Sequence, residues 1–247
     1  DQNKISQKPT LCSLMMANNL TGVQQDILAF KNQAPKYWFW HTDAVQAIGK
    51  MPVHFGQLGF DLMTLSTHKV GGPKGVGVLL RRSHVPLSPI MLGGGHQQGL
   101  RSGTENVPGI VGFAAALSEV CQTLEKRYES LQRLQGYFEE KLLACFPSAV
   151  IIAQNTPRLP NTTLLAMPGI EGEMLLMELD KKGICVASGS ACHHESKTPA
   201  GYILEAMGLP QALSNCVIRV SFNIQNTFRE IDEFLAVLKQ IVGVYGV

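Results

Sequence analysis

Short apolar runs alternate with polar turns along the first 100 residues. Four of these runs predict strands, over Thr10–Ala17, Tyr37–Thr42, Gly59–Leu65 and Val76–Arg81, because they are brief, β-rich and bounded by turn-forming residues. Between the first two, Val23–Phe30 has the spacing of a short helix. Strands that alternate with helical stretches favour an α/β fold with a mainly parallel sheet.

The pattern changes after Gly95. Helical periodicity continues from Pro108 to about Phe146, which predicts a long helix that joins two domains or is broken once. Shorter segments follow, with strands expected over Ala149–Ala153, Thr162–Met167, Ile184–Ala187 and Val217–Ser221 and helices over Gly172–Lys182 and from Thr227. This order is typical of a smaller α+β domain. We therefore expect two domains, residues 1–123 and residues 124–247.

Composition and charge narrow the function classes. Of the 247 residues, 45% are hydrophobic and 16% are charged, as in a globular protein rather than a disordered one. The 21 Lys and Arg nearly balance the 19 Asp and Glu, which argues against a general nucleic-acid or membrane-surface binder. No apolar run approaches the roughly 20 residues that a helix needs to cross a bilayer. We expect neither nucleic acid nor membrane as a partner.

The six cysteines are scattered along the chain and include no CxxC pair. This spacing favours neither a disulfide framework nor a zinc site and fits the reducing cytosol. We therefore expect a cytoplasmic location.

Lys69 stands between a predicted strand and a glycine-rich segment, Gly71–Gly75. Glycines let a ligand approach the backbone closely. The GxxxxGK[ST] order of a phosphate loop is absent, so that motif is excluded. Lys69 is then either a solvated lysine beside a turn or a residue that binds a ligand.

Two further charged residues have alternative interpretations. Asp43 ends a predicted strand, where open α/β sheets bind ligands, but it could equally cap a following helix. Arg219 interrupts the apolar strand Val217–Ser221, and a buried arginine needs an anionic partner. That partner is either a local Asp or Glu or the carboxylate of a substrate.

Cys192 differs from the other cysteines because small residues lead into it and a polar, proline-bearing loop follows. A thiol exposed on such a loop, beside histidine or lysine cations, can be held as the reactive thiolate. The adjacent His193, His194 and Glu195 do not have the spacing of a tetrahedral site. We expect no bound metal.

Six segments, taken in order, resemble the cysteine desulfurases, which are pyridoxal-phosphate (PLP) enzymes of fold type I in the class-V aminotransferase group. They are Ala17–Gly22, His41–Lys50, Ser66–Gly77, Arg101–Asn106, Ser188–Cys192 and Val217–Ser221. The resemblance covers nearly the whole chain. It implies a fold-type I large domain with a mainly parallel sheet, N-terminally incomplete, and a smaller α+β C-terminal domain.

The resemblance assigns the residues that would hold the PLP ring. Lys69 would bind PLP covalently and act as a base. Asp43 would pair with the pyridine nitrogen, and Gln46 and Asn19 would hydrogen-bond the 3-oxygen of the ring. Asn19 would also lie close to the substrate.

The same resemblance assigns the phosphate and substrate sites. Ser66 and His68 would hold the phosphate, and Thr104 would reach the phosphate of a neighbouring subunit, which implies a homodimer. Arg219 would bind the carboxylate of the amino-acid substrate. Cys192 would accept the sulfur.

The implied reaction converts L-cysteine to L-alanine and leaves a persulfide on Cys192. A sulfur-acceptor protein, such as an iron–sulfur scaffold or a tRNA-thiolation relay, would then receive the sulfur. A Cys-His pair also occurs in selenocysteine lyases, so selenocysteine is an alternative substrate. In this family about the first third of the chain precedes the Asn-Asn motif, and it is missing here. A second alternative is therefore a catalytically incomplete fragment that acts as a dimerising or scaffold-binding partner.

Overall fold

The computed structural model describes residues 10–188 and 199–245, so Cys192 lies outside the described residues. The chain divides into two compact units. The first contains residues 10–17 and Gln25–Leu124, and the second contains Asn18–Gln24 and the described residues from Glu125 onward. The short segment Asn18–Gln24 thus groups with the C-terminal part of the chain.

The first unit is built on a four-stranded sheet in the order β1-β2-β3-β4. The strands are β1 (Leu11–Met15), β2 (Phe39–Asp43), β3 (Leu62–Ser66) and β4 (Gly77–Arg81). The first three are parallel and β4 is antiparallel to β3. The prediction of a mainly parallel sheet is confirmed.

The two faces of this sheet differ in burial. Trp40 and Thr42 of β2 are buried, whereas the alternating residues Phe39, His41 and Asp43 are only partly buried, as the two-residue period of a strand requires. The buried face joins the core of the first unit, which includes Met16, Ala44, Phe60, Met63, Phe113 and Val120. Polar residues of the other face are thereby left accessible at the carboxyl ends of the strands.

The short helices of the first unit are α1 (Ile27–Gln33) and α2 (Phe55–Leu58). α1 begins after Asp26, whose side chain accepts a hydrogen bond from a backbone N–H of the first turn, as an N-cap does. The helix predicted from residue 23 therefore starts later. The reason is that Val23 forms a β-bridge with Arg158 instead.

Helix α3 extends from Val107 to Cys145 without a break, over 39 residues. The prediction of one long helix is confirmed. The boundary between the two compact units falls inside it, after Leu124. By length and composition α3 could cross a bilayer, the one helix of the described ranges that could. The expectation that no run approaches such a length is wrong here, because glycines and alanines continue the apolar character between the larger side chains.

The second unit is built on an antiparallel sheet in the order β5-β6-β8-β7. Its strands are β5 (Val150–Ile151), β6 (Thr162–Ala166), β7 (Ala187–Ser188) and β8 (Val217–Ser221). The predicted strand at 149–153 is shorter than expected, because the backbone of Ala153 turns into the left-handed region with φ of 57°. The strand expected at 184–187 pairs with β8 only at Ala187 and Ser188.

Four helices accompany this sheet in the described ranges: α4 (Gly172–Asp180), α5 (Pro199–Ala206), α6 (Gln211–Ser214) and α7 (Phe228–Tyr245). α7 begins at a reciprocal cap. The Thr227 N–H donates to Glu230 at 2.7 Å, and the Glu230 N–H donates to the Thr227 hydroxyl at 3.2 Å. The bond from the Thr227 N–H, together with one from the Thr227 hydroxyl at 3.1 Å to the same carboxylate, lowers the pKa of Glu230. The core of the unit includes Phe138, Leu142, Leu165, Leu175, Ile218 and Leu238.

Candidate active site

Polar residues gather at one edge of the sheet in the first unit. Asp43 ends β2 and Ser66 ends β3, and these neighbouring strands are parallel. A 3-10 turn, Thr67–Val70, follows β3 directly and carries His68 and Lys69. The carboxyl ends of parallel strands are where open α/β sheets bind ligands. The structure thus brings Asp43, Ser66, His68 and Lys69 to one edge.

Lys69 projects from a turn that is anchored beneath it. Thr67 and Val70 are buried, whereas Lys69 is exposed. The Gly72 N–H donates to the carbonyl of Thr67 at 3.1 Å, and a Cβ at Gly72 would collide with the Thr67 hydroxyl. Within the described residues the Lys69 amine has no hydrogen-bond or ion-pair partner. The backbone of the turn is therefore held in place, whereas the side-chain amine of Lys69 is available to bind a ligand.

Asp43 uses one carboxylate oxygen and leaves the other available. Oδ1 accepts a hydrogen bond from the Val45 N–H at 2.8 Å, whereas Oδ2 has no partner in the part of the chain that the structure describes. Turns rather than a helix occupy residues 45–50. The capping interpretation therefore accounts for one oxygen only.

The remaining predicted residues at this edge are polar and partly accessible. The Ser66 hydroxyl and Nδ1 of His68 are 2.8 Å apart, so the two side chains form a pair. The Gln46 side-chain oxygen accepts a hydrogen bond from Lys50 at 3.3 Å. This edge therefore presents an amine, a carboxylate, a hydroxyl and an imidazole.

His41 is a residue of this sheet face to which the sequence analysis gave no role. Its Nδ1 lies 2.7 Å from the Ser13 hydroxyl and its Nε2 lies 2.7 Å from the Thr64 hydroxyl. The imidazole thereby links β1, β2 and β3. Burial lowers the pKa of His41, and the carboxylate of Asp43 acts in the opposite direction. The spacing of two between His41 and Asp43, which puts both on one strand face, could have pointed to it.

Arg219 is half-buried in β8 of the second unit. Its Nη1 donates to the backbone oxygen of Asn19 at 2.7 Å, whereas its buried Nε has no partner. No carboxylate of the described residues lies within ion-pair distance of it, so these ranges do not show the local salt bridge that the sequence left open. Burial lowers the pKa of Arg219. A partly desolvated guanidinium without a counter-charge is suited to bind an anion.

Asn19 stands at the tip of a turn that Asn18 holds from within. The side-chain oxygen of Asn18 accepts hydrogen bonds from the backbone N–H groups of Leu20 and Thr21, both at 2.9 Å. Asn18 is buried and Asn19 is exposed. The turn therefore presents Asn19 beside the guanidinium of Arg219.

The structure groups the predicted site residues in two sets. Arg219 and Asn19 belong to the second unit, and the residues around Lys69 belong to the first. Thr104 is exposed in the loop that precedes α3, and no hydrogen bond within the described residues links it to the others. Cys192, the predicted sulfur acceptor, lies outside the described residues. In those residues no cluster of three metal-binding side chains occurs.

The chain is similar to proteins of one enzyme class. The cysteine desulfurase of Cereibacter sphaeroides is 40% identical over 239 residues, which are 96% of this chain and 61% of that protein. The cysteine desulfurase of Nostoc sp. is 40% identical over 233 residues, 94% of this chain and 58% of its own length. The chain thus spans about 60% of the length of these curated relatives.

Solved structures and a family model agree with these relatives. The X-ray structure of a NifS-like protein from Rickettsia africae matches with a TM-score of 0.88 and 35% identity, over 95% of this chain and 62% of that one. The fold is accordingly that of the NifS-like, PLP fold-type I proteins. The model of the family Aminotransferase class-V matches residues 1–234. This match extends over most of the sequence, and the chain therefore belongs to the class-V aminotransferase family.

Proposed function

We propose that this chain carries the catalytic residues of a PLP-dependent cysteine desulfurase, which converts L-cysteine to L-alanine and transfers the sulfur to Cys192. The similarity to proteins named cysteine desulfurase, at 40% identity, supports this reaction. Because the chain spans about 60% of those proteins, its own activity, substrate and partners are all part of the proposal.

The residues at the edge of the first sheet fit PLP in their chemistry. The cofactor has an aldehyde, a ring nitrogen and a phosphate. An available amine can react with the aldehyde, and a carboxylate with an available oxygen can pair with the ring nitrogen. A hydroxyl–imidazole pair can hydrogen-bond the phosphate. Lys69, Asp43 and the pair Ser66–His68 supply these groups, and Gln46 is assigned to the 3-oxygen of the ring. Asn19, which the resemblance assigns to the same oxygen, belongs to the second unit. When bound, PLP supplies an electron sink for negative charge on the substrate.

One observation carries the proposal: the Lys69 amine and one oxygen of Asp43, both without a hydrogen-bond partner among the described residues, lie at the same sheet edge. Lysines that serve only solubility need no such carboxylate on the neighbouring strand. Here β2 and β3 are parallel, Asp43 is the last residue of β2, and Lys69 follows the carboxyl end of β3.

Each residue then has a defined task. Arg219 binds the carboxylate of L-cysteine, and Lys69 moves the proton at the substrate α-carbon. Asp43 keeps the ring nitrogen protonated. The Cys192 thiolate attacks the substrate sulfur, so a sulfur–sulfur bond forms while the bond between the substrate sulfur and its β-carbon breaks. The three-carbon product takes up a proton and leaves as alanine.

The proposal includes partners and a location. Thr104, exposed before α3, would reach the phosphate held by a second copy in a homodimer. The persulfide would pass to an acceptor protein such as an iron–sulfur scaffold or a tRNA-thiolation relay. A cytoplasmic location is supported by the free thiols of Cys12, Cys121, Cys145, Cys185 and Cys216, because unpaired cysteines are typical of reducing compartments.

Absorbance spectroscopy of the purified chain tests the proposal. PLP should produce a visible absorption band that disappears on borohydride reduction, and L-cysteine should change that band. A well-folded chain that acquires no band would support the alternative of a non-catalytic dimerising or scaffold-binding partner. If the band forms, the ratio of rates on L-cysteine and L-selenocysteine separates a desulfurase from a selenocysteine lyase.

A further inference from the structure

A buried ion pair joins helix α3 to the segment before β6 in the second unit. Arg158 donates from Nη1 and Nη2 to the two carboxylate oxygens of Glu139, at 2.8 and 2.9 Å. The side chains are only 8% and 11% exposed, and Thr163 donates to the same carboxylate at 2.7 Å. Burying two charges costs about as much as their attraction returns. Stability alone therefore does not account for this pair.

A second residue of α3 holds the same segment. Gln135 precedes Glu139 by one helical turn, so the two side chains share a helix face. The Gln135 amide donates to the backbone oxygens of Thr162 at 2.7 Å and Leu159 at 3.2 Å. The backbone between Arg158 and Thr162 is thus fastened to α3 at both ends.

This fastened segment in turn holds residues 22–24. The Leu159 N–H donates to the carbonyl of Gly22 at 2.8 Å, and the Gln24 N–H donates to the carbonyl of Pro157 at 2.9 Å. The Gln24 side-chain amide adds a hydrogen bond to the backbone oxygen of Arg158 at 2.9 Å. The position of Arg158 therefore determines where the chain leaves the Asn18–Asn19 turn.

The turn passes this constraint on to Arg219. The Gly22 N–H donates to the carbonyl of Asn18, and the Asn18 N–H donates to the carbonyl of Val23, both at 2.9 Å. Asn19 lies inside this closed loop, and its backbone oxygen accepts the hydrogen bond from Arg219. A displacement of Arg158 would therefore move the acceptor that orients the guanidinium.

We propose that the Glu139–Arg158 ion pair positions the guanidinium of Arg219 for the substrate carboxylate. The inference rests on the proposed function, since it takes Arg219 as the carboxylate-binding residue. When Glu139 loses its charge, Arg158 is left buried without a counter-ion and moves toward water. Residues 157–159 move with it, the turn loosens and Arg219 samples several orientations. Binding of the substrate is therefore weakened. The network contains no residue of the first unit, so the rate of the chemical step at Lys69 should change little.

Nuclear magnetic resonance of the Arg219 Nε–H tests the positioning directly. The resonance is assigned by its loss in Arg219→Lys. Glu139→Gln and Arg158→Lys are expected to shift it and to speed its exchange with solvent, because the carbonyl of Asn19 no longer holds the guanidinium in one orientation. A matched control is Leu238→Ala in α7, a fully buried core residue of the same unit, which lowers the melting temperature without touching the network.

The outcomes separate this inference from the proposed function. An Arg219 resonance that is unchanged in both variants overturns the positioning role, whether or not the chain acts on cysteine. So does an equal shift in Leu238→Ala. Should Glu139→Gln fail to fold, Gln24→Ala, which removes only the side-chain bond to the backbone oxygen of Arg158, must give a shift that is smaller than that of Arg158→Lys and in the same direction. If it gives none, the inference is wrong.

Turnover supplies the second readout. In the active parent, Glu139→Gln should raise KM for L-cysteine about tenfold and change kcat by less than about twofold. A lower kcat at unchanged KM contradicts the inference. A folded parent that makes no alanine contradicts the proposed function instead, and the Arg219 resonance still decides the positioning role.

Discussion

Arg219 donates a hydrogen bond of 2.7 Å to the backbone oxygen of Asn19, a residue 200 positions earlier in the chain. The partner is a neutral carbonyl, so the positive charge of the guanidinium is not compensated there. Within the described residues, the buried Nε of Arg219 has no hydrogen-bond partner. This combination of orientation without neutralisation is what a site for a substrate carboxylate requires.

The first prediction concerns Arg219→Gln. Affinity for L-cysteine and for L-alanine should fall by roughly tenfold or more, since a charge-assisted contact is lost. The melting temperature should change little, because the half-buried guanidinium has no counter-charge among the described residues and its desolvation is relieved. Ligand titration and thermal unfolding measure the two quantities.

Arg229→Gln is the matched control for that variant. Arg229 lies on α7 and forms an exposed pair with Glu233 at 2.9 Å. Such surface pairs contribute little, so both the affinity and the melting temperature should stay at the parent values. An Arg219→Gln variant that binds like the parent would refute the assignment of Arg219.

The second prediction concerns covalent attachment at Lys69. Borohydride reduction in the presence of PLP, followed by peptide mass spectrometry, should place the adduct on Lys69 in the parent. Lys69→Ala should give no adduct. Lys74→Ala, which removes an exposed lysine of the same glycine-rich segment, should keep the parent adduct. An adduct on another lysine in Lys69→Ala would show that the assignment is wrong.

The third prediction concerns the pH dependence of stability through His41. Its pKa in the folded chain lies below the ordinary value of 6.5, so the unfolded chain binds the proton more tightly. The contribution of His41 is complete above about pH 7 and is lost as the pH falls through 6.5 toward the lowered folded value. His41→Gln should therefore lose less stability than the parent between pH 7 and pH 5.

Urea unfolding at several pH values measures this difference. His54→Gln replaces an exposed histidine outside the Ser13–His41–Thr64 hydrogen bonds and should keep the pH dependence of the parent. Equal slopes for the parent and His41→Gln would mean that the partly buried position of His41 does not favour the neutral imidazole.

The fourth prediction compares two helical glycines of the second unit. A Cβ at Gly172 would collide with the backbone carbonyl of Val217, so Gly172→Ala should lower the free energy of unfolding by about 1–3 kcal/mol. No heavy atom lies within 4 Å of a Cβ at Gly136, so Gly136→Ala should raise it by roughly 0.5–1 kcal/mol. Denaturant unfolding measures both, and equal effects would exclude the close approach of α4 to β8.

Local patterns predicted much of the fold. The strand that ends at Asp43 follows from hydrophobic periodicity, which its alternating burial matches. The long helix α3 follows from helical periodicity, and Val120, Leu131 and Leu134 on it are buried. The start of α1 was placed too early because Val23 pairs with Arg158, a contact with a residue far along the chain. Periodicity contains no information on such pairing.

The candidate site was predictable in part. Residue types and their order singled out Lys69, Asp43 and Arg219. That no carboxylate of the described residues pairs with Arg219 became visible only when the neighbours of β8 were known. The Glu139–Arg158 pair was not predicted, because a glutamate on a long helix is ordinarily an exposed surface residue. Only the burial of Glu139 in the structure indicates that it is paired. In similar chains, a buried Asp or Glu on the long helix is the feature that would indicate such an ion pair.

The most direct test of the proposed reaction is alanine release from L-cysteine in the presence of PLP and a thiol acceptor. Three proteins are compared: the parent, Cys192→Ala and Cys185→Ala, which removes an exposed thiol of the described residues. The parent and Cys185→Ala should form alanine at the same rate, and Cys192→Ala should fall to background with its PLP absorption band intact. Alanine formed by Cys192→Ala at the parent rate would contradict the role of Cys192, and a folded, PLP-loaded parent that forms none would contradict the desulfurase itself.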